Sequence, residues 1–201
     1  AVLVPGTVLA ELAAWAARKA GCDVVDELTL ETPLVLSRTA EREIRVVIDG
    51  KRALSVHSRG AGETEWTRNA VGAVGSNPSE ARREGDLVTW PPADAVRVPF
   101  EDEYARLSAL GLDHGPLFRG LKEVWRRGDA LFAQVELPAR DGADPAGRFP
   151  IHPALLHAAL LPIGLGQLVD DSSSEGRLPH RWTGLRLGPT EPAALRVRLT
   201  P

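Results

Sequence analysis

Residues 5–20, PGTVLAELAAWAARKA, read as a helix whose apolar positions run almost all the way round it. Leu9, Leu12, Ala13, Ala16 and Ala20 recur at helical spacing, Pro5-Gly6 makes the entry turn, Thr7 is the expected N-cap and Gly21 the stop. A helix of this kind is stable only when other structure encloses it. Short, β-branched segments come next at 24–36, 41–49, 52–59 and 65–75, parted by turn residues such as Asp49-Gly50. A helix leading directly into such a meander predicts an antiparallel sheet wrapped round that helix, an α+β arrangement.

The second half repeats the plan. Residues 76–98 are polar and proline-rich and read as a crossover linker. A short amphipathic helix is expected at 99–111, then strands at 120–127 and 130–137, a loop, and an apolar helix that starts at Pro153. A further loop and strands at 179–187 and 194–199 complete the chain. This predicts an internal repeat: a first unit over 1–75 and a second over 99–201, each with one central helix inside a sheet. The first unit lacks strands ahead of its helix and the second lacks most of those that should come after its own, so the chain is expected to be truncated at both ends.

Composition excludes several classes. The net charge of −3 offers no basic surplus for nucleic acid. Cys22 is the only cysteine, so no intramolecular disulfide can form and a reducing, cytoplasmic setting is expected. No signal peptide is visible, and the apolar run 153–169 is interrupted by His157, Pro162 and glycines, which excludes a membrane span. The chain has no methionine and is rich in alanine and arginine, the pattern of a high-GC bacterial gene.

Several segments, in order, carry a resemblance to a family. VLVPGTVLAELA, ELTLETPLVL, VHSRGAGETEWTRNAVG, GLDHGPLF, LFRGLKEVWRRGDALFAQVELP, HPALLHAALL and LPHRWTGLRL resemble the corresponding stretches of the dehydratase domain of modular type I polyketide synthases. That resemblance implies a double-hotdog fold, two antiparallel sheets each wrapped round a central helix. It also implies a hydro-lyase that removes water from a β-hydroxyacyl chain on the phosphopantetheine arm of an acyl carrier protein. No cofactor of the domain's own is implied. The expected partners are the carrier protein and neighbouring synthase domains, with a homodimer as in other family members, and neither nucleic acid nor membrane.

The elimination needs a base for the α-proton and an acid for the leaving hydroxyl. In the family these are a His of the first hotdog, whose position falls ahead of Ala1, and an Asp on the second hotdog's helix. A Gln or His four residues on, on the same helical face, orients the Asp. Here the Asp position is His157 and its partner position is Leu161, with Pro162 directly behind, where a helix should kink or end. Leu112 and His114 replace two tyrosines of the family's G-Y-x-Y-G-P-x-F motif, and His180 replaces the phenylalanine of L-P-F-x-W. The substrate tunnel is expected to take in Pro5, Gly6, His114, Gly115, Pro116, Phe118, Leu161, His180 and Trp182.

Three readings of His157 stand side by side. It is the remnant of a decayed site, with ordinary dehydration absent or very weak. Alternatively it belongs to a repurposed site that cyclises or isomerises a carrier-bound intermediate, as in the dehydratase-like pyran synthase and isomerase domains that the chain resembles equally well. A metal site is the third, and the spacing argues against it: His152 and His157 are five apart, on different helix faces, and no carboxylate or cysteine completes a ligand set. No metal is therefore expected. His152 is read as a cap or packing residue, His57 as a strand residue, and Trp182 as core or tunnel wall. Arg126, Arg127, Arg181 and Arg186 are candidates for an acidic carrier protein or the phosphopantetheine phosphate, with solvated surface charge as the default.

Overall fold

The computed structural model describes residues 1–37, 39–76, 87–138, 149–165, 178–188 and 192–201. Parts of the expected linker (77–86), of the loop before Pro153 (139–148) and of the loop after that helix (166–177) lie outside the described residues. The chain divides into two compact units, Ala1–Ala81 with Leu178–Pro189, and Arg82–Arg177 with Thr190–Pro201.

The first unit is a five-stranded antiparallel sheet with one helix against it. Helix α1 spans Gly6–Lys19, and β2 (Val24–Leu30), β4 (Arg42–Ile48), β5 (Ala53–Gly60) and β6 (Thr67–Gly75) come after it. Short strands β1 (Val2–Leu3) and β3 (Val35–Leu36) pair separately, because the expected strand 24–36 breaks at Thr32-Pro33. The helix buries Leu9, Ala10, Ala13, Ala14 and Ala17 against Leu28 and Val56, but it is not enclosed all round: Trp15 is exposed and Leu12 and Ala16 are half-buried. Arg18 and Lys19 sit in its last turn, where they favour the negative end of the helix dipole, and Gly21 stops it at φ +73°. Thr7 is not the cap: the N-cap is Pro5, and Thr7 is buried one position inside the helix with its hydroxyl unpaired. Proline fixes φ near the extended-to-helix entry and moves the start earlier than the hydroxyl suggests.

The sheet order is β10-β2-β6-β5-β4, where β10 (Arg181–Leu185) comes from the far end of the chain. Its position in the sequence puts the expected strand 179–187 in the second unit; the structure instead lays it on the open edge of β2, with Trp182 opposite Leu28. The physical reason is an unpaired sheet edge: β2 pairs with β6 on one side only, and the backbone of β10 satisfies the other. On the outer face Trp66 stands between Arg45 and Arg59, with guanidinium carbons 4.1 and 4.6 Å from its ring centre.

The second unit has the sheet order β11-β9-β8-β7, from β7 (Val96–Arg97), β8 (Leu121–Arg127), β9 (Ala130–Glu136) and β11 (Ala194–Leu199). Helix α2 spans Glu103–Ala109 and α3 spans Pro153–Leu160, the latter packed on β9 and β11. Phe132, Val124, Val135 and Leu155 form its interior. Residues 87–98 also depart from the linker expected over 76–98. Trp90 packs edge-on against Trp125 at 5.1 Å and donates to Gln134 Oε1 at 3.2 Å, and β7 extends the sheet. Two tryptophans meeting bury enough apolar area to hold a polar, proline-rich segment in place.

Candidate active site

The stretch that starts at His152 folds as its residues dictate. Pro153 occupies the first helical turn, where its missing N–H is harmless, and His152 is the N-cap, its Nδ1 accepting from the Ala154 N–H at 3.1 Å. Phe149 meets the His152 ring edge-on at 5.1 Å. Ala154, Leu155, Ala158 and Ala159 face the sheet and are buried. Pro162 cannot continue the α-helical hydrogen-bond ladder, and α3 gives way at Leu161 to a 3-10 turn, Leu161–Gly164. Leu161 is half-buried and offers no polar atom to a neighbour at 157.

His157 lies on the half-buried side of α3 and meets His114 nitrogen to nitrogen. The two Nε2 atoms are 2.8 Å apart and the ring centres 5.0 Å, with the planes tilted by 42°. His114 belongs to the loop after α2, which turns at Gly115 into a 3-10 helix, Pro116–Phe118. Phe118 closes the other side, its ring perpendicular to that of His157 at 5.4 Å. His114, Phe118, His157 and Leu161 therefore lie together in the second unit. Gly115 and Pro116 are exposed and shape the turn.

Burial pushes the His157 ring down to about 4, and His114 beside it acts in the same direction. His114 is likewise held below the ordinary histidine range, first by burial, with the Leu112 backbone acting the other way. Its Nδ1 is enclosed and makes no hydrogen bond of ordinary geometry. Near neutral pH both rings are uncharged, and a single proton lies between the facing nitrogens, one ring donating and the other accepting.

This depression makes stability depend on pH. A histidine whose folded pKa is below its unfolded value takes up protons more readily when unfolded. Its contribution is therefore complete above pH ~6.5 and is lost as the pH falls from there towards the folded value of about 4. For His157 the loss amounts to about 3 kcal/mol. Urea unfolding between pH 7 and pH 4 should show a drop of this size that is absent from a His157→Phe variant.

The remaining expected site residues lie in the first unit. Pro5 and Gly6 start α1, and Gly6 is pressed on by the Leu30 side chain. Leu30 donates its N–H to the His180 carbonyl at 2.7 Å, while His180 itself is exposed. Trp182 packs on the core cluster with its indole N–H enclosed and unpaired. The arginines expected to face an acidic partner are engaged locally. Arg181 pairs with Glu27 at 3.0 Å, Arg186 with Asp23 at 3.2 Å, and Arg126 donates to the Leu165 carbonyl at 3.3 Å.

Sequence reasoning passes over Tyr104 and Arg119. Tyr104, on α2, meets His114 edge-on at 5.7 Å and accepts from the Leu121 N–H, and Arg119 donates to the His114 carbonyl oxygen at 3.0 Å. The only signal that could have found them is proximity to GLDHGPLF in the sequence. Among the described residues no three of His, Cys, Asp and Glu converge as a metal-ligand group. Nor is any described helix long and apolar enough to cross a membrane.

Comparison with known proteins bears on both units. Residues 1–59 match the family described as polyketide synthase dehydratase domain, and residues 82–201 match the polyketide synthase dehydratase N-terminal domain. Polyketide synthase GfsE of Streptomyces halstedii is 44% identical over 209 residues, covering 99% of this chain and 5% of that protein. Mycoketide-CoA synthase of Mycobacterium tuberculosis is 41% identical over 208 residues, again 99% of this chain and 5% of the other. The chain thus spans about one twentieth of each of these two synthases. Among solved structures, the dehydratase domain from the terminal module of the rifamycin polyketide synthase superposes with a TM-score of 0.84 at 38% identity, covering 99% of this chain and 72% of that one. The bifunctional dehydratase-cyclase domain of ambruticin biosynthesis gives 0.82 at 36% identity, covering 98% and 70%. With one helix against an antiparallel sheet in each unit, and with these matches across its length, the chain belongs to the dehydratase domains of type I polyketide synthases and has their double-hotdog fold.

Proposed function

We propose that this domain receives β-hydroxyacyl groups on the phosphopantetheine arm of an acyl carrier protein and leaves them undehydrated, serving as a structural part of its synthase module. The partners in this reading are the carrier protein, the adjoining synthase domains and a second copy of the chain, and the domain needs no cofactor of its own. One observation carries the reading: the ring at the family's acid position spends its Nε2 on His114 at 2.8 Å. An acid for the leaving hydroxyl must hold a proton and present it to substrate. With its pKa near 4, His157 is protonated in only about one molecule in a thousand at pH 7. The one shared proton lies between the two rings. Leu161 supplies no group to reorient the imidazole.

A second reading has support in the likeness to the ambruticin dehydratase-cyclase domain, 36% identical. In it the histidine pair shuttles a proton during cyclisation or a double-bond shift. A shuttle through both rings needs an accessible nitrogen at each end, and His114 Nδ1 is enclosed. The first reading is therefore preferred.

Incubation with β-hydroxyacyl and hydroxy-enoyl thioesters, with products read by chromatography and mass spectrometry, separates the two. Both substrates are expected to come back unchanged. An enoyl product would overturn the proposal, and a cyclic or double-bond-shifted product would replace it with the second reading.

A further inference from the structure

The ring that occupies His157 is held from its own side of the site. Arg119 donates its Nε–H to the His114 carbonyl oxygen at 3.0 Å and stands over the Tyr104 ring at 5.7 Å. The Tyr104 ring meets His114 edge-on, and its hydroxyl accepts from the Leu121 N–H at 3.3 Å. His114 is thus fastened by α2 and by the start of β8, elements that are in place whatever stands on α3. An imidazole so fixed is chemically versatile. It accepts from a neutral donor, donates to a neutral acceptor, or takes up a proton beside a carboxylate.

We infer that His114 is a positioning residue that blocks this site: fixed by Arg119 and Tyr104, it engages whatever polar side chain stands at 157 and withholds it from substrate. The loss of the carboxylate is then only half of the change, and restoring it alone does not restore an acid. In a His157→Asp chain the carboxyl group would stand within roughly 4–6 Å of His114, close enough for each to favour the other's charged form. The carboxyl would be ionised and paired, the wrong state for protonating a hydroxyl. This inference rests on the proposed function only in taking 157 as the reaction position.

Two measurements test it, and neither needs turnover by the unmodified chain. Diethyl pyrocarbonate acylates unprotonated imidazole nitrogens, and His57, in the first unit, serves as an internal reference. Labelling of His157, read by mass spectrometry, should be about tenfold faster in His114→Phe than in the unmodified chain, the factor expected from one lost hydrogen bond. It should stay slow in His114→Gln, whose amide still reaches the ring. Equal rates in the unmodified chain and His114→Phe would overturn the inference, as would a His114→Gln rate as fast as that of His114→Phe. The second measurement does not depend on His114→Phe folding. NMR titration should find His114 below the ordinary histidine value in the unmodified chain and above it in His157→Asp. A His114 that still titrates below that value in His157→Asp, or an enoyl product from His157→Asp alone, would overturn it too. Turnover by the unmodified chain would defeat the proposed function, while the labelling result would still decide the role of His114.

Discussion

A chain carrying Gly120→Ala is expected to lose about 2–4 kcal/mol of stability and, with it, the register of the histidine pair. Gly120 lies just ahead of β8, where three pieces of backbone crowd together. A Cβ there would stand 2.5 Å from the Glu136 carbonyl oxygen and 3.3 Å from the Ala158 Cβ. Neither neighbour has room to give. Glu136 is tied to this spot because its N–H donates to the Gly120 carbonyl at 2.8 Å, and Ala158 is fully buried on α3. The overlap with the Glu136 carbonyl is relieved only if the chain around Gly120 parts from the end of β9, and the contact at Ala158 presses in addition on α3, which carries His157. Thermal unfolding should show a midpoint lower by roughly 5–15 °C, and the His157 ring should titrate closer to its ordinary value. An unchanged midpoint would contradict the close approach of Glu136 and Ala158 to this glycine.

Gly72→Ala should cost at least as much, about 3–5 kcal/mol, in the first unit. Gly72 sits in the middle of the five-stranded sheet, opposite Leu28 on β2 and Leu54 on β5. An added Cβ would overlap the Glu27 carbonyl oxygen and stand 3.1 Å from the Leu28 Cα. Both obstacles are backbone, so no rotamer change relieves them. The β2 and β6 strands would have to part at the level where the core is densest, beside Leu28 and Leu54. The test is a urea titration in which the Gly72→Ala midpoint is compared with that of an exposed glycine, such as Gly50→Ala. Similar midpoints would contradict the close approach.

Much of this architecture is legible in the residues, and the part that is not has a common cause. The all-round apolar helix at 6–19, the strands after it, and the Pro153 start and Pro162 end of α3 come from local chemistry: spacing, proline geometry and turn residues. The role of His152 as a cap arises in the same way. What local chemistry does not encode is the choice of a partner far along the chain. The alternation in 179–187 marks a strand but not which sheet edge receives it, and nothing near it points to β2. The break at Thr32-Pro33 is readable in principle, since proline has no N–H for the ladder, but the apolar residues on both sides mask it. At the site, resemblance singles out positions 114 and 157 separately as changed. Only the fold brings the two rings into one hydrogen bond, and only the fold gives Tyr104 and Arg119 a part in it.

The return of β10 to the first unit also bears on how such domains can be exchanged between synthases. The chain completes β6, builds most of the second unit, comes back to pair with β2, and then leaves again to form β11. A hybrid gene joined anywhere between β6 and β10 would take the first unit's edge strand from the donor of the second. Trp182 and Arg181 would then have to suit a Leu28 and a Glu27 of different ancestry. Recombination within the domain is thereby penalised, and the domain is expected to be inherited as one block.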